Sequence, residues 1–333
     1  MSSKARFALI GGLASTVILL TAKADAQCPA YSLQWRLSSS QWSGVNVIYP
    51  IAADEVGAVY VGDWAVGRIE KFTSTGVYVG AWGSVGTGDG QFSNFNGLSI
   101  ATDAMGYVYV LDRGNKRVQK FTNTGTYVTQ WPVHPDTSGF VGLPTSPFSI
   151  GVDRNGDYVY VADINTRHIQ KFTGTGEFLA QWGSYGSGDG QFYALDGVAV
   201  DAAGRVYAVD QLLPRVQVFS SDGAFLAQWG NEVGPWHRYL GVAVDRTVGD
   251  VYVIDRDGMY DDAPRIKKFS GAGALLCQWG SFGEGDGEFA WPYGIAVGAG
   301  SQIYVSDFRV QKFVAAPVRT MTTTWGRLKA VYR

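Results

Sequence analysis

Residues 182–229 read WGSYGSGDGQFYALDGVAVDAAGRVYAVDQLLPRVQVFSSDGAFLAQW, one complete copy of a unit that recurs along nearly the whole chain. Four strand-like runs lie within it: residues 197–201 (GVAVD), 205–210 (RVYAVD), 215–219 (RVQVF) and 224–229 (AFLAQW). Each is rich in Val, Phe or Tyr and bounded by Gly, Asp or Pro, as strands joined by tight turns should be. Nothing of helical period and length separates them, which argues against parallel βαβ units.

Outward from this copy, a tyrosine inside a short apolar run marks every unit: Tyr60, Tyr109, Tyr160, Tyr207, Tyr252 and Tyr304, spaced 49, 51, 47, 45 and 52 residues apart. That is the spacing of propeller blades. Trp82, Trp131, Trp182, Trp229 and Trp279 end the units, so one of the six lacks its ending. The missing piece stands at the other end of the chain. Residues 31–35 (YSLQW) match the endings TYVTQW and AFLAQW, and Trp35 precedes Trp82 by 47 residues. One four-stranded sheet cannot bury both its faces, so six must stack radially. The predicted fold is all-β: a six-bladed β-propeller of four-stranded antiparallel blades, closed by the N-terminal strand pairing into the last blade. Closure hides edges that would otherwise pair with other chains.

The termini read differently from the array. Lys4 and Arg6 head an apolar run from Phe7 to Leu20, and small residues around Ala24 and Ala26 offer cleavage sites. This is the pattern of a signal peptide, and the run is short of the ~20 residues a spanning helix needs. The expected layout is a signal peptide over 1–26, the propeller over 27–314 and a basic tail over 315–333. The tail carries Arg319, Arg327, Lys329 and Arg333 without an acid, and its ending resembles short Thr-Trp-Gly tails of some exported bacterial proteins. Export places the protein in the periplasm, on the cell surface or outside the cell. The net charge of -2 becomes more negative once Lys4, Arg6 and Lys23 are removed, which argues against binding phosphate backbones. Two cysteines, Cys28 and Cys277, are too few for a disulfide framework, and spacing leaves their pairing open.

Across residues 31–313 the units resemble NHL repeats. The pattern is G-[IV]-A-V-D, then G-x-[IV]-Y-V-x-D, then x-N-x-R-[IV]-Q-K-F, then a Trp-Gly ending. Asp103, Gly106, Tyr109, Asp112, Asn115, Arg117 and Phe121 carry it in one copy. His168 departs from it, standing where Arg is usual. The resemblance implies a six-bladed propeller; it leaves function open, because such repeats serve in lyases, interaction modules and RNA binders. In the amidating lyases of this class, zinc is held by His at the start of inner strands. The matching slots here hold Tyr49, Leu98, Phe148, Asp196, Leu240 and Tyr293, with no His among them.

Residues that obey the repeat read as framework. Asp63, Asp112, Asp163, Asp210, Asp255 and Asp307 end the second strand of every unit, where an Asp accepts turn N–H groups or pairs with Arg. The loops 83–92, 183–192 and 280–289 repeat Gly-Asp-Gly without the Lys or helix of a phosphate cradle, or the alternating acids of a calcium loop. Lys71, Lys120, Lys171, Lys268 and Lys312 recur singly, spreading charge round the perimeter. Segments that break the repeat point to function: 132–147, 231–240 and 256–264 fall on one face. The last two offer Trp236, His237, Arg238, Tyr239, Met259, Tyr260, Asp261 and Asp262 as a contact surface for protein, peptide or glycan. The expected protein is a monomeric binding module without catalytic residue, metal, cofactor, nucleic-acid partner or membrane span. The alternative is a metal-dependent lyase or hydrolase of the amidating-lyase type.

Overall fold

The structure is a computed structural model that describes residues 31–37, 48–63, 66–93, 97–133, 146–230, 237–257 and 264–315. The expected signal peptide and residues 316–333 of the tail lie outside them. The principal sheets are six, each of four antiparallel strands. Blade 1 comprises Ile48–Ala53, Val59–Asp63, Arg68–Phe72 and Tyr78–Trp82. Blade 2 comprises Leu98–Thr102, Tyr107–Asp112, Arg117–Thr122 and Tyr127–Pro132. Blade 3 comprises Pro147–Val152, Tyr158–Asp163, Ile169–Thr173 and Phe178–Trp182. Blade 4 comprises Leu195–Val200, Val206–Asp210, Arg215–Phe219 and Phe225–Gly230. Blade 5 comprises His237–Val244, Val251–Asp257, Arg265–Phe269 and Leu275–Trp279.

Blade 6 takes only three strands from its own stretch of chain, Gly294–Gly298, Gln302–Ser306 and Val310–Ala315. Its outer strand is Tyr31–Leu37, paired antiparallel from Tyr31 opposite Ala315 to Leu37 opposite Val310. The ring closes as the tryptophan count requires.

Burial follows position within a blade. The second strands Val59–Asp63 and Val206–Asp210 are buried at every residue, because neighbouring blades cover both their faces. The outer strands Tyr78–Trp82 and Phe225–Gly230 have no fully buried residue. Apolar side chains gather between blades rather than at a common centre. Tyr109, Leu111 and Val118 of blade 2 meet Ile150, Val152 and Phe172 of blade 3, and the cluster of Ile51, Val61, Tyr304 and Val310 joins blade 6 to blade 1. Each blade is therefore stable only against its neighbours.

The recurring residues have local causes. The anchor tyrosines are fully buried and their hydroxyls find acceptors: Tyr60 donates to Asp54 at 3.0 Å, Tyr109 to Asp103 at 3.0 Å and Tyr207 to Asp201 at 3.1 Å, while Tyr160 reaches the Ser221 carbonyl and Tyr304 the Gln302 side chain. The ending tryptophans pack on the next blade. A Cβ on Gly125, Gly176, Gly223 or Gly273 would come within 2.6 Å of Trp82, Trp131, Trp182 or Trp229, and all four glycines have positive φ. Only glycine meets both demands.

Candidate functional site

The six inner strands pack side by side in blade order round a central channel. Ile51, Ile100, Ile150, Val198, Val242 and Ile295, one from each blade, form an apolar girdle across it. The girdle separates two vestibules. The exit vestibule, where inner strands end, encloses about 440 Å³; the entry vestibule, where they begin, encloses about 370 Å³.

The two arginines of the exit vestibule are both engaged. Arg246 of blade 5 reaches across the channel mouth and donates to the carbonyls of Thr102 at 3.2 Å, Val152 at 2.5 Å and Val200 at 3.4 Å, on blades 2, 3 and 4. Arg154 pairs with Glu55, Nη2 to Oε2 at 2.8 Å, and this bond holds the Glu55 carboxyl below its ordinary pKa. Arg246 therefore closes this end as a strut.

The entry vestibule is built differently. In blades 3, 4 and 5 the ladder skips one residue of the inner strand: Phe148 between Pro147 and Ser149, Asp196 between Leu195 and Gly197, Gly241 between Leu240 and Val242. A bulge re-aims the skipped residue, and here Phe148 and Asp196 turn onto the channel wall. Asp196 is buried and accepts the Gly241 N–H at 3.2 Å. Burial pushes its carboxyl up to about 6, against the opposing pull of that N–H, Arg113 and Arg256. Arg113, from the end of the second strand of blade 2, donates Nε to the Pro147 carbonyl at 3.2 Å and lies 3.9 Å over the Phe148 ring. Burial lowers its guanidinium to about 10. Arg256 of blade 5 donates to the Tyr293 hydroxyl at 2.9 Å and sits 4.7 Å over the exposed Trp291 ring. Among the described residues neither Asp196 nor Arg113 is in an ion pair.

The framework reading of the repeated residues holds. Asp112 accepts the N–H of Ser93 and the Nε of Arg117, and Asp210 accepts the N–H groups of Tyr193 and Ala194 at 2.9 and 3.0 Å. The glycine loops are latches between blades. Arg215 of blade 4 donates to the carbonyls of Ser187, Gly188 and Gln191 in the preceding loop, at 2.8, 3.1 and 2.6 Å. Arg117 does the same to Thr87, Gly88 and Gln91, and Arg309 to Glu284, Gly285 and Glu288. Carbonyls so occupied are withdrawn from ligands. The repeated lysines turn out to be ties, not perimeter charge. Lys71 reaches the Asn123 carbonyl at 2.8 Å, Lys171 the Asp222 carboxylate at 2.9 Å and Lys312 the Ser74 carbonyl at 2.7 Å, each on the next blade.

The described residues that flank segments 132–147, 231–240 and 256–264 lie at the entry face, where inner strands begin and second strands end. Of the candidate contact residues, Arg238 is exposed, on an inner strand lengthened so that it pairs opposite Arg256. Tyr239 is a correction. Strand alternation turns its ring into the core between blades 4 and 5, fully buried, with the Lys267 ammonium 5.4 Å from it. His237 pairs through its backbone opposite Asp257. Trp236, Met259, Tyr260, Asp261 and Asp262 lie outside the described residues. In the sequence Asp196 figures only as one of six residues filling the slots where a zinc-binding His would stand. Arg113 and Arg256 share the position after the aligned Asp in blades 2 and 5, a signal that only comparison of those two copies offers.

No protein-family model matches the chain, and no curated protein does. Solved structures match in fold. Virginiamycin B lyase from Staphylococcus aureus superposes with a TM-score of 0.58 at 11% identity, over 86% of this chain and 99% of that one. A structural-genomics protein of unknown function from Bacteroides thetaiotaomicron VPI-5482 gives 0.58 at 16% identity, over 87% and 74%. The β-propeller domain of Cps50 (Swd1) from Myceliophteria thermophila gives 0.55 at 10% identity, over 85% and 99%. At such identities the likeness is of fold alone.

Proposed function

We propose that this protein is an exported propeller of the NHL type that binds its ligand on the entry face. One observation carries the reading: departures from the repeat concentrate there, where the buried Asp196 carboxyl and the half-buried Arg113 guanidinium face the channel without an ion pair among the described residues. At the exit face Arg246 is taken up by three backbone carbonyls and Arg154 by the Glu55 carboxylate. A charge held out of water without a partner is costly, and such residues cluster where a ligand supplies the partner. Arg238, Trp291 and the irregular segments then form the outer rim, and the partner is a protein, peptide or glycan. The basic tail serves attachment or sorting in this scheme.

An enzymatic reading has one observation in its favour. An Asp196 carboxyl near 6 is poised as a general base at working pH, and a lyase shares the fold. The metal-dependent version finds no ligand set: among the described residues no three of His, Cys, Asp or Glu converge. Glycan and peptide arrays probed with the full chain test the binding reading. Replacing Trp236 and Tyr260 together with Ala should weaken binding at least about tenfold at an unchanged Tm. Equal affinity removes the rim from the site, and turnover of a bound ligand that Asp196→Asn abolishes replaces the binding reading with the enzymatic one.

A further inference from the structure

The entry vestibule has two unlike walls. Its floor is the girdle of six Ile and Val residues, whose side chains are apolar. Its upper wall carries the Arg113 guanidinium, the Ser99 and Ser149 hydroxyls and the Asp196 carboxyl. Only Nε of Arg113 is engaged; among the described residues its two terminal nitrogens have no hydrogen-bond partner. The Ser99 oxygen accepts the Ile150 N–H at 3.3 Å and the Ser149 oxygen the Val198 N–H at 3.1 Å, which leaves both hydroxyl protons to donate. Arg256 adds a second positive charge from across the ring. Positive charge exceeds negative around this wall, Arg113 and Arg256 against Asp196.

We propose that the vestibule binds a small amphipathic carboxylate, its acid group on Arg113 and the seryl hydroxyls and its aliphatic or aryl tail on the girdle. This rests on the entry face being the ligand face and adds the ligand's chemistry. The planar guanidinium fork matches a carboxylate through two parallel bonds. A cavity of about 370 Å³ suits one small molecule. Asp196 makes the site responsive to pH. The groups facing it are Arg113, Arg256 and the Gly241 N–H. Ionised, it repels the ligand's carboxylate; protonated, it donates to it. Affinity therefore rises as pH falls from 7.5 to about 6, and is lost where the ligand itself protonates.

Calorimetry on the full chain with hexanoate, hexyl phosphate, hexanamide and hexylamine, at pH 7.5 and 6.0, tests this. Hexanoate is expected to bind, severalfold tighter at the lower pH, and the amide and the amine are not. Arg113→Met should weaken hexanoate at least about tenfold, and Asp196→Asn should bind it at pH 7.5 as the unaltered chain does at 6.0. Preference for hexylamine, preference for hexyl phosphate, silence from all four compounds, or hexanoate binding indifferent to Arg113→Met would each overturn the proposal. Should Arg113→Met fail to fold, the pH series and Asp196→Asn still decide. Silence from all four beside a loss of array binding in the Trp236/Tyr260 variant would remove the ligand class and leave the face standing.

Discussion

Asp196 and Asp103 show how one side chain serves two ends. Asp103 sits in a turn, accepts the Tyr107 N–H at 2.8 Å and the Tyr109 hydroxyl at 3.0 Å, and stabilises the blade that contains it. Asp196 is placed by a bulge on the channel wall with a single N–H for company. Its carboxyl is raised from 3.8 to about 6, so the folded chain holds that proton more tightly than the unfolded one. The stability this contributes is present in full below about 3.8 and lost as pH rises through about 6. Above that range the ionised group strains the fold by about 2–3 kcal/mol. Asp196→Asn removes the titration and should raise Tm at pH 8 by about 3–5 °C while leaving it nearly unchanged at pH 4. Thermal scans at the two pH values measure it. A variant no more stable than the parent at pH 8 would show that Asp196 finds better solvation than its burial implies, and would weaken its claim to a ligand-facing role.

At the scale of elements, the latch between a glycine loop and the next blade's third strand is the recurrent polar joint. Arg215 is 1% exposed and donates to three loop carbonyls and to Gln228. Arg215→Met keeps much of the volume, strands those acceptors and leaves Asp210 without its nearest cation, which should cost about 3 kcal/mol. The expected fall in Tm is roughly 4–6 °C by calorimetry; a fall under 2 °C would mean that water replaces the latch. Strands, blade order and closure were legible in the sequence because side-chain period and turn residues are local signals. The glycine loops were legible as turns, yet not as latches, since their partners are backbone carbonyls some 28 residues before the arginine. The lysines misled for a related reason. Strand alternation gives a face, whereas the reach of a long side chain to the next blade depends on how blades stack. The vestibule was not legible: Asp196 and Phe148 appeared only as slots without His, and nothing in the pattern foretold the bulges that turn them inward. Tyr239 read as loop because its strand is longer than in the other copies.

For the whole molecule, closure decides whether six marginal sheets behave as one cooperative body. A linear array has two end blades, each with one uncovered face; the ring has none. Here the seam lies inside blade 6, between Tyr31–Leu37 and Val310–Ala315, and not between two blades. Opening it uncovers the Val310–Ala315 edge, which is then ready to pair with another chain. A second tie bears on the same seam. Cys277, in the outer strand of blade 5, is disulfide-bonded. The chain has two cysteines, so a bond within one molecule must use Cys28, three residues ahead of the closing strand. Cys28 itself lies outside the described residues. Cys277→Ser removes the covalent tie and leaves the ladder in register, so it should lower Tm by less than deletion of residues 27–36, which removes both. The loop-entropy scale allows the bond about 5 kcal/mol at most. The deletion should lower Tm by more than 10 °C and add concentration-dependent aggregation, read by circular dichroism and light scattering. An unchanged melting temperature on deletion would show that blade 6 stands on three strands and that the ring needs no seam. Equal losses in the two variants would assign the whole effect to the disulfide.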